Sequence, residues 1–521
     1  MSDRFYLTTA IFYPSERPAL HSMFEAIGAD AIARYSRLMG SETRFLTGLD
    51  EHSANVERDA REKGIDPHDL IDPWAATWQA TFERFGISAD RFIRTTDPDH
   101  AAASVEMVRR AQAAGDVYEG TYSGWYCTGC NEFKTDQQLV NGRCPDHPTL
   151  DPQWLEENNY FFRLSAYQER LERLYADNPS FCEPEHFRNE VLGWLRDGLR
   201  DFSISRSGTT WGIPFPGDEQ HRIYVWFDAL TNYLTGAGFM SDDGEFAKWW
   251  PADLHVIGKN ITRFHCLYWP AMLMSAGLPL PTQVFAHGFM LDRGGQRMSK
   301  TTGNTHDPDA AADTFGVDGV RYVVLREVPF DRDADVTYDG FVRRYNADLA
   351  NDLGNLVNRT VSMSRRYLDG RLPLVADAIE AADVEIRAAA EQAIAAYHAA
   401  MEQRHLDEAL AAVMRLAGAA NGYAEGQAPW ALNKAGETQR VGAVLAVMAE
   451  TCRILGHLLA PFTPTGARAI LDQLGANVPY DDRGTGGPGF DEILPWGSVD
   501  GGLETGSASP IFPRIEAEGL S

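Results

Sequence analysis

Between Phe285 and Asn304 the chain reads FAHGFMLDRGGQRMSKTTGN: an apolar, aromatic start, a glycine pair, then cations and hydroxyls crowded around one methionine. The first residues suit a strand. Gly294 and Gly295 give the next stretch the backbone freedom that a loop closing over a ligand needs. Lys300 offers a charge, and Ser299 and Thr301 offer donors, a set suited to a polyphosphate. A second cluster is Cys127-x2-Cys130 and, after thirteen intervening residues, Cys144-x2-His147. That is ligand spacing for one tetrahedral zinc, each short gap allowing a tight turn that aims two side chains at one ion. Gly129 and Gly142 sit where those turns fall. Four protein ligands leave no open position, so the expected metal is structural.

Such residues need a rigid frame. Residues 5–12 and 43–48 are β-branched or aromatic runs followed by helix-like stretches, and 227–274 repeats the alternation. The pattern predicts one parallel α/β domain in two halves, 1–115 and 205–329, split by an insertion over 116–204 that carries the cysteine cluster. From 330 to 475 the chain turns Ala/Leu-rich with helical spacing, which predicts a bundle. Residues 476–521, rich in Gly, Asp and Pro, are expected to wrap the surface as an irregular tail.

With 521 residues the chain can build two or three cores. Mean hydropathy is −0.32, no continuous apolar run nears the ~20 residues of a membrane span, and no secretory leader opens the sequence. A cytoplasmic location without membrane attachment is expected. The net charge of −27 argues against a general nucleic-acid binder but leaves room for a local basic patch. The scattered Cys182, Cys266 and Cys452 are expected as reduced core residues.

RMSKT resembles the KMSKS loop of class I aminoacyl-tRNA synthetases, and the chain is similar throughout to the methionyl-tRNA synthetase family. The matching stretches include FYLTTAIFYP, FLTGLDEH, SGWYCTGC, YVWFDALTNYLTGAGF, HVIGKNITRFHCLYWPAM, DLGNLVNR, QAPW and IFPRIE. The resemblance implies a class I Rossmann domain with a zinc-knuckle insertion, then an α-helical anticodon-binding-type bundle, acting as a monomer without the extra C-terminal module of some relatives. It places a methionine pocket at Ala10, Ile11, Tyr13, Asp50, Trp226, Leu230, Tyr233, Ile261, Phe264 and His265, with Asp50 holding the substrate ammonium. ATP falls to Lys259, Asn260, Arg206, His287, Met298 and Lys300, with Mg²⁺. Asn355, Arg359 and Trp430 match the residues that read the tRNA anticodon. The zinc ligands are Cys127, Cys130, Cys144 and His147.

One motif departs from the family. Where a His-x-Gly-His sequence points two histidines at the ATP phosphates, this chain reads Ala19-Leu20-His21-Ser22. His21 stands at the glycine position, ~100° around the helix from Ser22, so it is no simple replacement. Catalysis would then rest on Lys300, Ser299, His21 and Ser22. Asn260 replaces an aspartate, Leu49 and Ser53 replace Thr and Gly, and Glu16 and Glu25 bracket the altered helix start, where carboxylates oppose a triphosphate and suit a cationic substrate. The expectation is amino-acid activation by ATP and transfer to a hydroxyl, leaning to a small-molecule acceptor. Hydrazine synthetases of N–N bond-forming pathways work this way, with a cupin that would here be a separate protein. The alternatives are an ordinary methionine–tRNA ligase and a non-catalytic tRNA- or amino-acid-binding paralogue.

Overall fold

The structure is a computed structural model that describes residues 3–14, 17–129, 132–134, 136–145, 148–296, 298, 306–373, 380–498 and 502–516. Its centre is an all-parallel sheet of six strands: β1 (Arg4–Phe12), β2 (Glu42–Leu49), β3 (Arg91–Arg94), β4 (Cys182–Glu183), β5 (Leu254–Gly258) and β6 (Val284–His287). Their order is β3-β2-β1-β5-β6-β4, so the winding reverses between β1 and β5. In open α/β sheets ligands bind outside the carboxyl ends of the strands at such a reversal. Here those ends deliver Tyr13, Asp50, Lys259 and Gly288. Helix α1 (Leu20–Leu38) follows β1 and is buried at every position from Met23 onward, because it packs on the sheet with one face and on the helical region with the other.

The insertion forms a separate antiparallel sheet around the long hairpin Val117–Cys127 and Gln153–Phe162. It is not independent over the whole of 116–204. Cys182–Glu183 returns to the main sheet and pairs with Val284–Phe285, an edge strand too short for a sequence pattern to show. Cys182, Cys266 and Cys452 are buried and free, as reduced core residues should be.

Helical packing begins before residue 330, with α3 (Pro308–Glu327). After a π-helical stretch at Tyr345–Gly354 come α4 (Asn355–Leu368), α5 (Ala381–Glu402), α6 (Leu406–Gln427), α7 (Thr438–Leu459) and α8 (Pro464–Leu474). By length and composition α7 could cross a membrane, but 94% of its apolar window is buried inside the bundle. A buried ion network joins α3 to α1. Arg321, fully buried, donates to Asp30 Oδ2 at 2.7 Å and to the carbonyls of Phe85, Pro461 and Phe462. Asp30 also accepts from Arg34 and Ser88; burial opposes its ionisation, yet these partners hold its carboxyl well below the usual range.

The C-terminal tail does more than wrap the surface. Phe490, Leu494 and Phe512 are buried, and Arg483 reaches back to Asp90 beside the sheet. Apart from Phe490–Ile493 it has almost no regular structure, so its aromatic anchors follow no periodicity that a sequence reading could use.

Candidate active site

The residues read as an amino-acid pocket converge. Ala10, Trp226, Leu230, Tyr233 and Phe264 belong to one buried apolar cluster, with Ile11, Tyr13 and Ile261 packed against it. Trp226 and Tyr233 lie on α2 (Val225–Gly236), every residue of which is buried. Trp226 stacks on Phe264 with ring centroids 3.8 Å apart and planes within 6°. Phe264 opens a π-helical segment, Phe264–Tyr268, of the kind frequent at functional sites.

Polar groups around this cluster are fixed in pairs. His265 Nδ1 lies 3.0 Å from the Ile261 carbonyl, and burial pushes the imidazole down to about 4. Nδ1–H therefore donates to that carbonyl, and Nε2 accepts from the Tyr233 hydroxyl at 2.6 Å. Tyr6 in turn donates to the Tyr233 carbonyl at 2.9 Å. Asp50 differs. Its side chain is buried, yet Oδ1 has no hydrogen-bond partner among the described residues. Burial first, and the nearby Asp228 charge second, hold its carboxyl well above the usual range. The His52 amide donates to the carboxylate, but a buried oxygen left without a partner is costly, and a bound ammonium would satisfy it.

The nucleotide side is less assembled. Ala19 caps α1 in an extended conformation with no side-chain cap bond, and its first turn carries no acid. Ala19 and Leu20 are buried, while His21 and Ser22 are half-buried. The Leu20 amide donates to the His306 carbonyl at 3.0 Å, so the chain just after the RMSKT segment docks on this helix start. Lys259 is bound to Asp333 at 2.6 Å and lies over the Phe289 ring; Asn260 is exposed beside it. Arg206 lies over Tyr224 at 4.1 Å and donates to Ser203 and to the Ser205 carbonyl. Met298 is buried in the apolar core of α1 and α3. Lys300, Ser299 and Glu16 lie outside the described residues.

Glu25 overturns its expected role. It does not face a triphosphate or a cationic acceptor. It is buried; one oxygen accepts from the Ala10 amide at 2.9 Å and the other meets His287 Nε2 at 2.8 Å. His287, expected to touch ATP, directs its other nitrogen at the Gly288 carbonyl, 2.7 Å away. The pair therefore ties β1 to β6 through α1, a role that helix periodicity hides because Glu25 sits on the inner face.

Sequence reasoning missed a further set. Asp228, buried on α2, meets His52 Nδ1 at 2.6 Å and His100 Nε2 at 2.6 Å. Its signal was visible: a carboxylate inside the otherwise apolar VWFDAL needs a buried partner. Glu51, also buried, accepts from Arg94 at 2.7 Å. Ser53 caps helix Ala54–Lys63 by accepting from the Val56 amide, which explains a serine at this family glycine position.

In the insertion Cys127 and Cys144 are buried, whereas Cys130 and His147 lie outside the described residues. Among the described residues no cluster of three metal-binding side chains occurs. In the bundle Asn355 is exposed at the start of α4. Arg359 sits 5.5 Å from the Trp430 ring and is paired with Glu425 at 2.8 Å.

A reversed parallel sheet, a pocket at its carboxyl edge and a following helical bundle define a class I aminoacyl-tRNA synthetase. The profile of class I (M) tRNA synthetases matches residues 5–153 and 147–361, and that of the anticodon-binding domain of methionyl tRNA ligase matches 375–483. Methionine–tRNA ligase of Thermosynechococcus vestitus is 43% identical over 99% of this chain and 98% of its own. That of Brucella suis is 42% identical over 99% of both. The Mycobacterium tuberculosis methionyl-tRNA synthetase in complex with methionyl-adenylate superposes with a TM-score of 0.90 at 42% identity, covering 98% of this chain and 100% of that one. Its free state gives 0.83 at 40% identity, covering 98% of each. The chain belongs to the methionyl-tRNA synthetase family and is an ATP-dependent amino-acid-activating ligase.

Proposed function

We propose that the chain activates methionine and transfers it to tRNA. The observation that carries this reading is Asp50, whose partnerless buried oxygen stands ready for an ammonium beside an apolar pocket floored by Trp226, Phe264 and Tyr233. The substrate carboxylate attacks the α-phosphorus of ATP and pyrophosphate leaves; the adenylate then acylates a ribose hydroxyl. Lys300 and the start of α1 would hold the phosphates, and positioning supplies much of the rate. When bound, Mg²⁺ neutralises phosphate charge. Cys127, Cys130, Cys144 and His147 would hold a structural zinc; the burial of both described cysteines fits that, and one zinc per chain by elemental analysis would verify it.

Full-length likeness to methionine–tRNA ligases and the Arg359–Trp430 contact favour tRNA over a small-molecule acceptor. The small-molecule reading, with its separate cupin partner, keeps the support of Ala19 and Ser22 but loses that of Glu25. Methionine-dependent ATP–pyrophosphate exchange followed by tRNA acylation decides. Acylated tRNA supports the proposal; exchange without it, together with capture by an N-hydroxylated lysine, favours the second reading. Under the first, Trp430→Ala weakens tRNA binding by about 1 kcal/mol or more, the scale of one stacked base.

A further inference from the structure

His52 lies two residues beyond Asp50 and takes no part in the amino-acid pocket. Its Nδ1 is 2.6 Å from Asp228 Oδ2. Asp228 Oδ1 accepts from His100 Nε2 at 2.6 Å and from the Ser104 hydroxyl at 3.1 Å. Asp228 is fully buried; burial opposes its ionisation, but the two histidines hold the carboxyl well below the usual range. An ionised carboxylate facing Nδ1–H fixes the tautomer that leaves the lone pair on Nε2. The His52 side chain makes no other hydrogen bond among the described residues. Trp211 packs edge-on against the ring at 5.3 Å and is itself pinned by donating to the Glu51 carbonyl at 2.8 Å. The His52 side chain is 7% exposed and stands at the edge of an open space.

That space is a cavity of about 530 Å³ between helix Ala54–Lys63, the insertion hairpin and the start of α2. His52 lines it, together with Arg58, Arg61 and Arg206. Tyr224 and Tyr126 flank Arg206, at 4.1 and 5.5 Å, so that cation is held in place, while Arg58 and Arg61 stand on an exposed helix face. Cationic walls, aromatic surface and a volume of this size suit a phosphate-linked nucleotide. The cavity adjoins the amino-acid pocket, since Tyr224 and Val225 line the one and Trp226 the other.

We propose that His52 is the general base of the transfer step, and that this cavity receives the terminal ribose and flanking phosphates of the acceptor. The inference rests on the tRNA-ligase reading and adds the residue and the place. The ribose hydroxyl gives its proton to His52 Nε2 as its oxygen attacks the aminoacyl carbonyl carbon. The carbon–oxygen bond to the phosphate breaks, and AMP leaves with the bonding pair. Asp228 stabilises the imidazolium until it releases the proton to solvent. Besides Asp228 and His100, the ionisable groups around His52 and the cavity are Asp50 and Glu51 in the same segment, Glu57, Arg58, Arg61, Arg206, Arg222, Tyr126, Tyr224 and, across Trp211, His68.

His52→Asn keeps an amide donor for Asp228 and removes the base. Methionine-dependent ATP–pyrophosphate exchange and single-turnover transfer from preformed adenylate to tRNA would be measured across a range of about three pH units around neutrality. Transfer should slow by about a hundredfold or more, as loss of a general base does. Exchange should slow far less, and the low-pH limb of the transfer rate should vanish in the variant. Arg58→Ala with Arg61→Ala should raise the KM for tRNA and flatten its salt dependence. Equal slowing of both half-reactions, or a pH limb that survives the substitution, overturns the base assignment. An unmoved KM for tRNA and unchanged salt dependence overturn the acceptor site. If the wild type shows no methionine-dependent exchange, the ligase reading fails first, and that failure is distinct from either.

Discussion

On the proposed amino-acid side, Trp226 and Phe264 stack at 3.8 Å and Tyr233 and His265 close at 2.6 Å. On the nucleotide side, Lys259 is held by Asp333 and His287 by Glu25, and the helix start lacks both family histidines. Both sides hang from β1 and α1, so the contrast is not one of distance. An apolar pocket is built by the same packing that folds the protein, so it is complete when the fold is complete. A polyphosphate site needs cations, and here Lys259 and His287 are paired with the protein's own carboxylates. Chemistry on the first side is written in shape, and on the second in exchangeable ion pairs.

Substitutions on either side test how far each depends on the shared frame of β1 and α1. Arg321→Ala leaves part of Asp30 uncompensated in the core that supports α1 and should cost about 3–5 kcal/mol in urea unfolding. Both sides would then fail together. A loss under 1 kcal/mol would show that α1 does not depend on the network.

Asp50→Asn should raise the KM for methionine about a hundredfold, the scale of one buried charge-assisted hydrogen bond. The same change should raise the thermal midpoint of the empty protein near neutral pH. Folding raises the Asp50 pKa above its ordinary 3.8, so its contribution to stability is fully present below that value and is lost as pH rises through the raised one. Methionine binding runs the other way, because the ammonium needs the ionised form. The KM for methionine should climb as pH falls, beginning well above pH 3.8. A KM flat across that range would remove Asp50 from ammonium binding.

Ala19→His with Ser22→His should speed adenylate formation, by about tenfold if each histidine adds roughly 0.7 kcal/mol of transition-state contact. Stopped-flow fluorescence with methionine and ATP reads it. No gain would mean that the nucleotide side has been rebuilt around its present residues. The smallest effect belongs to Glu25→Gln, which keeps the shape and an acceptor for the Ala10 amide. Its ATP KM should stay within about twofold, whereas a carboxylate repelling the triphosphate by ~1 kcal/mol would give about a fivefold fall on neutralisation.

Most of the fold was legible in the sequence because alternating strands and amphipathic helices carry their periods openly. So was the convergence of Ala10, Trp226 and Phe264, members of the proposed amino-acid pocket, which fall in contiguous family-like stretches. The tail anchors Phe490 and Phe512 were not legible, since isolated aromatics in an irregular segment have no period. Glu25 was placed correctly on the altered helix and assigned the wrong neighbours. Asp228 lay inside a quoted motif, but its two histidines come from segments 176 and 128 residues away.

By itself the sequence determined which residue types exist at the strand ends: an acid after β2, aromatics on α2, cations before and after β6, and alanine and serine where histidines belong. It did so because hydrophobic period and motif spacing are local properties of a chain. The tertiary structure alone decided which of those charges are already paired. Pairing depends on distances across the sheet, as between Glu25 and His287, 262 positions apart, or His52 and Asp228. Burial then sets the sense of the outcome. It leaves one oxygen of Asp50 without a partner among the described residues, satisfies Glu25 within the protein, and sets His52 in the wall of a cavity.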